Sequence, residues 1–226
     1  EFVDRASEVQ WTVPKNKSLK LFIKKIIKLC WFYLEFFLID LKNGKWGRRI
    51  PFLNSIISEI KVYFTARFLQ KFSVKNLDIL LKDDYVYFPL PFEPEYTIQA
   101  LCKEFSDVAA CLRQLSLSLP PGYKLLVKEH QRDSNRSKHF YETLLKMPNV
   151  YIINSQINAN ILIKNCKAVV SMGGSTPAEA LLLGKPSLVF GNRNPYNALK
   201  YIKFVDNIRY LSEHLRETLS IAEVDK

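Results

Sequence analysis

Ala168-Val169-Val170-Ser171-Met172-Gly173-Gly174-Ser175-Thr176-Pro177-Ala178-Glu179-Ala180 decides how this chain folds. A short β-rich apolar run reads as a buried strand. Two glycines end it, two hydroxyl residues follow, and a proline in the first turn opens a helix. Such a turn aims free backbone N–H groups and the positive end of a helix at the strand terminus, which makes it a cradle for an anion. Glycine removes the Cβ that would block a phosphate. Ser175 and Thr176 are placed either to cap the helix or to bind phosphate oxygens, and Glu179 sits one turn in, on the same cleft. A capped strand–helix turn without a ligand is the plainer alternative. The loop is not a Walker motif, because the G-K-[ST] ending is absent.

Around this stretch the same texture repeats. Tyr85–Phe88, Leu125–Val127, Val150–Ile153, Ala168–Val170 and Ser187–Phe190 read as buried strands, and residues 97–117, 137–147, 158–165 and 176–183 as helices between them. Strand–helix alternation implies parallel strands joined by right-handed crossovers, so the fold class is α/β with a Rossmann-like parallel sheet. Ligands of such sheets bind at the carboxyl ends of the strands. Three more strand ends carry polar groups. Lys128-Glu129-His130 follows the second strand, with a histidine on the rim that holds the glycine loop. Pro89-Leu90-Pro91-Phe92-Glu93-Pro94-Glu95 leaves the first, with carboxylates suited either to sugar hydroxyls or to a helix N-terminus. Gly191-Asn192-Arg193-Asn194-Pro195-Tyr196 leaves the fifth. A Ser-His-Asp hydrolase is disfavoured, because there is no G-x-S-x-G elbow.

The sequence divides at about residue 82. Residues 1–82 hold 16 basic and 7 acidic side chains, and residues 83–226 hold 17 and 15, so nearly all of the net +11 lies in the first part. The first segment, 1–82, reads as basic and largely helical, the second, 83–226, as a Rossmann-like domain. In residues 21–39, LFIKKIIKLCWFYLEFFLI, 15 of 19 positions are apolar. Lys24, Lys25, Lys28 and Glu35 argue against a membrane span, since a charge at the bilayer centre costs about 2.5–3.5 kcal/mol. The pattern is an amphipathic helix, either packed on another domain or lying on anionic lipid. Asn43-Gly44 ends it, and Pro51 opens a second helical stretch to about Gln70. The basic residues lie on apolar helices without an aromatic stacking platform, so nucleic acid is not an expected partner. Cys30, Cys102, Cys111 and Cys166 form no C-x-x-C pair and have no histidine cluster beside them, so neither a metal site nor a disulfide framework is expected, and a cytoplasmic setting is. The chain opens Glu1-Phe2-Val3 without methionine, which points to a piece of a longer protein.

In order along the chain, K-E-H after a strand, N-V-Y-I-I, and A-V-V-S-M-G-G-S-T-P-A-E-A-L-L-L-G-K-P-S-L-V-F-G resemble the carboxyl-terminal domain of capsular polysaccharide biosynthesis proteins. These are the β-Kdo transferase-like glycosyltransferases of the GT-B fold, and the resemblance runs from about Asp83 to Tyr196. More distantly the segment is similar to sugar-nucleotide epimerases and to glycerophosphotransferases. The resemblance implies a nucleotide-sugar donor, CMP- or UDP-linked, with its phosphates at Gly173, Gly174, Ser175 and Thr176, its nucleoside near Glu179, and Asn192 on the same rim. His130, Lys128 and Glu93 are then the candidate catalytic residues. Where the family typically shows Gln-Pro and His-Pro after its first two strands, this chain has Glu93-Pro94 and His130-Gln131, which keeps a donor other than CMP-Kdo open. The implied activity is inverting, metal-independent transfer to a lipid-linked saccharide acceptor, with no cofactor beyond the donor and with the enzyme held at the inner face of the cell membrane. The acceptor-side domain and general base are expected outside this chain. A non-catalytic module that docks on membrane or on a partner is the alternative from another class.

Overall fold

The computed structural model describes residues 19–43, 52–72, 77–91, 102–130, 136–155, 157–191, 196, 198–221 and 224. By internal contacts the chain divides into Glu1–Phe68 and Leu69–Lys226. Within the first unit lie helix α1, Leu19–Lys42, and most of α2, Phe52–Phe72. Both follow the two apolar stretches of the sequence. Phe22 stacks on Tyr63 at 4.2 Å between ring centroids, and Lys25 Nζ meets a Glu59 carboxylate oxygen at 2.7 Å. Among the described residues no helix is long and apolar enough to cross a membrane.

The second unit is built on six parallel strands: β1 Tyr85–Pro89, β2 Lys124–Lys128, β3 Val150–Ile153, β4 Ala168–Ser171, β5 Ser187–Phe190 and β6 Ile202–Val205. Their order is β3-β2-β1-β4-β5-β6, the order of the dinucleotide-binding Rossmann sheet. The helices are α3 Leu77–Leu80, α4 Val108–Ser118, α5 Lys138–Leu145, α6 Ala159–Asn165, α7 Thr176–Leu182 and α8 Leu211–Leu219. Because side chains alternate across a strand, register sorts the core into two layers. Tyr85, Tyr87, Leu126, Ile153 and Val169 share one cluster with Leu80 of α3, Leu162 and Ile163 of α6 and Ala180 of α7. The opposite face is covered by α4, α5 and α8, with α4 packed on both of the others. Covered on both sides, the strands must be continuous apolar runs, which is why they stood out in the sequence.

The α/β expectation holds, and all five anticipated strands form. The sixth, Ile-Lys-Phe-Val, was not anticipated: it is an edge strand whose middle two residues are only half-buried, so it lacks the apolar signature of the others. Of the helix expected over 97–117, the described part is a 3₁₀ turn, Lys103–Phe105, and then α4, which Asp107 caps through Ala110 N at 3.0 Å. The contact boundary falls between Phe68 and Leu69, and Leu77, Leu80 and Leu81 pack into the sheet's own core.

The α7–β5 connection shows how a single glycine sets the fold locally. Gly184 has φ +74°, its N–H reaches Leu181 O at 2.9 Å, and Lys185 N reaches Ala180 O at 2.9 Å, which closes the helix with a left-handed residue. A Cβ there would meet open space, so only backbone strain opposes a side chain. Gly184→Ala is expected to lower unfolding free energy by about 1–2 kcal/mol without shifting the denaturant m-value, as read from urea titration.

Candidate functional site

The chain order reverses between β1 and β4. Crossovers from β1 through β2 to β3 carry α4 and α5 on one face, whereas α7 joins β4 to β5 on the other. At such a reversal the chains leaving the two strands run to opposite faces, and a ligand crevice is expected at their carboxyl ends. The loop after β4 is Met172–Ser175. Gly173 and Gly174 are successive left-handed residues, with φ +113° and +76°, a backbone that L side chains rarely adopt. Gly173 N lies 3.4 Å from Ser171 Oγ, a hydroxyl buried at the end of β4. The sequence had left Ser175 open as a helix cap or a phosphate ligand. The structure corrects the first option: Ser175 is the N-cap residue yet makes no side-chain cap, and its hydroxyl donates to Glu179 Oε1 at 2.5 Å. Thr176 begins α7, with Pro177 next. Since α7 has only seven residues, the loop's own N–H groups, more than a long helix dipole, define its anion affinity.

Register places Lys128 at the same depth as this loop. Lys128 pairs with Pro89 across β2–β1, and the register of the Tyr87–Val169 pair, continued by two residues on each strand, brings Pro89 level with Ser171. Ile153, Lys128, Pro89, Ser171 and Val189 thus form one row along the carboxyl rim, on the face that carries α7. Lys128 and Ser171 are two strand spacings apart, roughly 10 Å, a span that a lysine side chain bridges in large part. Lys128 is 4% exposed. Burial lowers its pKa to about 8, partly opposed by Glu129. Among the described residues its ammonium has no hydrogen bond or ion pair. On the same face the Tyr87 hydroxyl is pushed well above the usual phenol range, first by burial and then by the negative charge of Glu179.

Glu129, next along, points to the other face and is fully engaged. Its Oε1 accepts from Arg136 Nη1 at 2.8 Å and from the His130 backbone N–H at 2.8 Å, and its Oε2 accepts from the Tyr141 hydroxyl of α5. Arg136 also donates through Nη2 to Pro91 O and covers the Phe140 ring at 5.4 Å. One buried ion pair therefore ties the end of β2 to the turn after β1 and fixes the backbone from which His130 projects. Sequence reasoning missed this pair. Glu129 was passed over between two basic residues, and Arg136, inside Asp133-Ser134-Asn135-Arg136-Ser137, carried no signal of burial. Cys102 was missed as well. Buried, with its thiol pKa raised to about 11 by burial and then by Glu104, its Sγ lies 3.1 Å from Met172 O and 2.9 Å from Phe190 O, bridging the ends of β4 and β5. Of the anticipated residues, Lys128, His130, Gly173, Gly174, Ser175, Thr176 and Glu179 gather on this rim. Glu93 and Asn192 lie outside the described residues. Among the described residues no three His, Cys, Asp or Glu side chains come together as metal ligands.

The sequence profile of the capsule polysaccharide biosynthesis proteins matches residues 48–198, two thirds of the chain. The chain belongs to that family. The match spans β1 to β5 and the whole Gly173–Glu179 segment. No curated protein is detectably similar in sequence. Among solved structures, the UDP-GlcNAc 2-epimerase of Methanocaldococcus jannaschii is 15% identical with a TM-score of 0.50, the match covering 70% of this chain and 43% of that one. The ADP-heptose lipopolysaccharide heptosyltransferase II of E. coli is 14% identical with a TM-score of 0.44, covering 69% and 50%. At this level the epimerase likeness establishes the fold, and the chain spans half or less of either structure's length. The chain thus shares the fold of the matched part of that epimerase.

If the Glu129–Arg136 pair anchors the rim of this capsule-family domain, breaking one partner leaves the other charge buried and alone. Arg136→Met is expected to cost about 3–5 kcal/mol in unfolding free energy, and the double variant Glu129→Gln with Arg136→Met to recover a large part of it. A double-mutant cycle in urea reads this directly; additive single losses would mean that the two side chains do not act as a pair.

Proposed function

We propose that the sheet unit is the donor-binding half of a glycosyltransferase that uses a nucleotide-activated sugar to build capsular polysaccharide. The observation that carries this reading is the Gly173–Thr176 loop at the reversal of strand order, where parallel sheets bind their ligands. Membership of the capsule family supports it. The donor diphosphate or monophosphate lies against the loop's N–H groups and the Ser175 and Thr176 hydroxyls, and Glu179 accepts hydrogen bonds from the ribose. Asn192 and Glu93 remain proposed rim contacts. The sugar is Kdo from a CMP donor or another nucleotide-linked sugar, and the acceptor is a lipid-linked saccharide.

In this reading transfer is inverting and needs no metal. An acceptor hydroxyl attacks the anomeric carbon while its proton passes to a base on the acceptor-side domain. The bond from that carbon to the donor phosphate oxygen breaks, and its electron pair leaves on the phosphate. Lys128 and His130 meet the negative charge that grows there, which lowers the barrier because the stabilisation increases toward the transition state.

The fit of Lys128 to this task is electrostatic. A largely desolvated ammonium is costly in the empty protein, and an incoming phosphate supplies it with a partner. Its lowered pKa means that the folded state binds fewer protons than the unfolded state between about pH 8 and the ordinary lysine range near 10.5, so the empty protein gains stability as pH rises through that window. Phosphate binding stabilises the ammonium and moves its pKa the other way, so affinity for the nucleotide falls as pH rises above about 8.

Calorimetry of the chain with CMP, UDP, CMP-Kdo and UDP-GlcNAc is expected to show saturable binding at millimolar concentrations or below for one nucleotide class. Glu179→Ala weakens that binding roughly tenfold, the worth of about one charged hydrogen bond. Lys128→Met stabilises the empty protein, on the order of 2 kcal/mol at neutral pH, yet weakens nucleotide binding and abolishes its decline above pH 8. Absence of saturable binding to any of the four overturns the donor-site reading. In the complete enzyme, His130→Ala is expected to lower kcat and Glu179→Ala mainly to raise donor KM.

A further inference from the structure

We propose that α1 lies in the interface of an anionic lipid bilayer, with one apolar stripe in the acyl boundary and a row of lysines against the headgroup phosphates. None of the helix's 24 residues is buried in the structure. The edge that meets α2 is fixed by the Phe22–Tyr63 stack and the Lys25–Glu59 pair. At 100° per residue, Ile23, Ile27, Trp31, Leu34 and Leu38 fall on the opposite side in one continuous stripe, and all five are exposed, Ile27 at 62% and Trp31 at 70%. Lys20, Lys24 and Lys28 recur every fourth residue in a row that begins within the stripe's azimuth at its N-terminal end and crosses its border at Lys24, whose azimuth Lys42 shares. Glu35 stands among them, Leu21, Phe32 and Ile39 are exposed beyond them, and Asp40 falls on the α2 side.

Two observations favour lipid over a protein as the occupant. The cores of protein interfaces are depleted in lysine, whereas a lysine row beside an apolar stripe suits a surface that offers hydrocarbon and phosphate at adjacent depths, with the stems lying along the apolar layer and the ammonium groups reaching out of it. The helix also has no acidic residue in its first turn, and residues 1–82 carry an excess of 9 basic side chains over acidic ones, which complements an anionic leaflet. With no helix among the described residues able to cross a membrane, the geometry is one of lying on the surface. This inference is independent of the donor site, and the α1 segment lies wholly outside residues 48–198, the part matched to the capsule family.

The test uses the full chain with extruded vesicles of phosphatidylcholine alone or mixed with phosphatidylglycerol. Flotation is expected to recover the protein with anionic vesicles at low salt, and far less with neutral ones or at 0.5 M salt, where screening shortens the reach of charge to a few ångströms. Changing Lys20, Lys24 and Lys28 together to Gln weakens anionic partitioning on the order of 100-fold, at about 1 kcal/mol per lysine. A Trp11→Phe, Trp46→Phe variant leaves Trp31 as the lone tryptophan, and brominated lipid is expected to quench it without any alteration of the stripe itself. Equal recovery with neutral and anionic vesicles overturns the proposal, as does unquenched Trp31. So does a concentration-dependent dimer in vesicle-free sedimentation that persists when vesicles are added, which would assign the stripe to a second copy of the chain.

Discussion

Everything that is chemically informative in the sheet unit depends on one topological constraint, the reversal of strand order between β1 and β4. Right-handed crossovers force the helices of β1–β2–β3 to one face and that of β4–β5 to the other. At such a reversal two adjacent strands send their chains to opposite faces, and a ligand crevice is expected at their carboxyl ends. Gly173 and Gly174 sit at that point because the chain must turn there through a left-handed backbone. Cys102, pressed against the carbonyls that close β4 and β5, keeps the neighbouring strand ends level with it.

Lys128 and Glu129 show how a rim can hold two buried charges for different ends. They are adjacent in sequence and so point to opposite faces at the end of β2. Glu129 meets a guanidinium, a phenol and a backbone N–H, so its desolvation is offset in full and its role is to join the β1 and β2 turns. Lys128 has no such set, and its pKa falls to about 8. In the proposed reading, the fold satisfies one of two neighbouring buried charges and leaves the other, costly one where a donor phosphate would relieve it. In that sense the stability deficit and the proposed donor contact are one property of the same side chain.

The parts legible in the sequence were those where one physical signal dominates. Strands buried on both faces read as apolar runs, and the glycine pair with its following hydroxyls and proline read as a strand–helix turn. β6 did not, because an edge strand with Lys203 in its middle carries no such run. The Arg136–Glu129–Tyr141 cluster was illegible for another reason: its members are 7 and 12 residues from Glu129 and meet only once α5 has packed beside β3. Ser175 illustrates a subtler limit. Its position next to the glycines suggested a cap or a phosphate ligand, and only the folded geometry reveals a third partner, Glu179, four residues on. A phosphate at the loop must therefore compete with that carboxylate for the hydroxyl, and a ribose hydroxyl that engages Glu179 would release it.

Charge distribution separates the tasks of the two segments. If the basic excess served nucleotide capture, it would be expected around the crevice, yet residues 83–226 carry only two more basic than acidic side chains. The crevice instead concentrates its positive potential in one desolvated lysine and in oriented backbone N–H groups, which act over a few ångströms and are poorly screened by salt. The lysines of α1 are exposed, and at physiological ionic strength their field is screened beyond about 8 Å, which suits the surface contact proposed for them. That the sheet unit falls mostly within the stretch matched to the capsule family while α1 lies outside it agrees with this division. On the two readings proposed above, the sheet would recognise an activated sugar and the helix would supply a location, which is a separate physical problem solved with a different kind of charge.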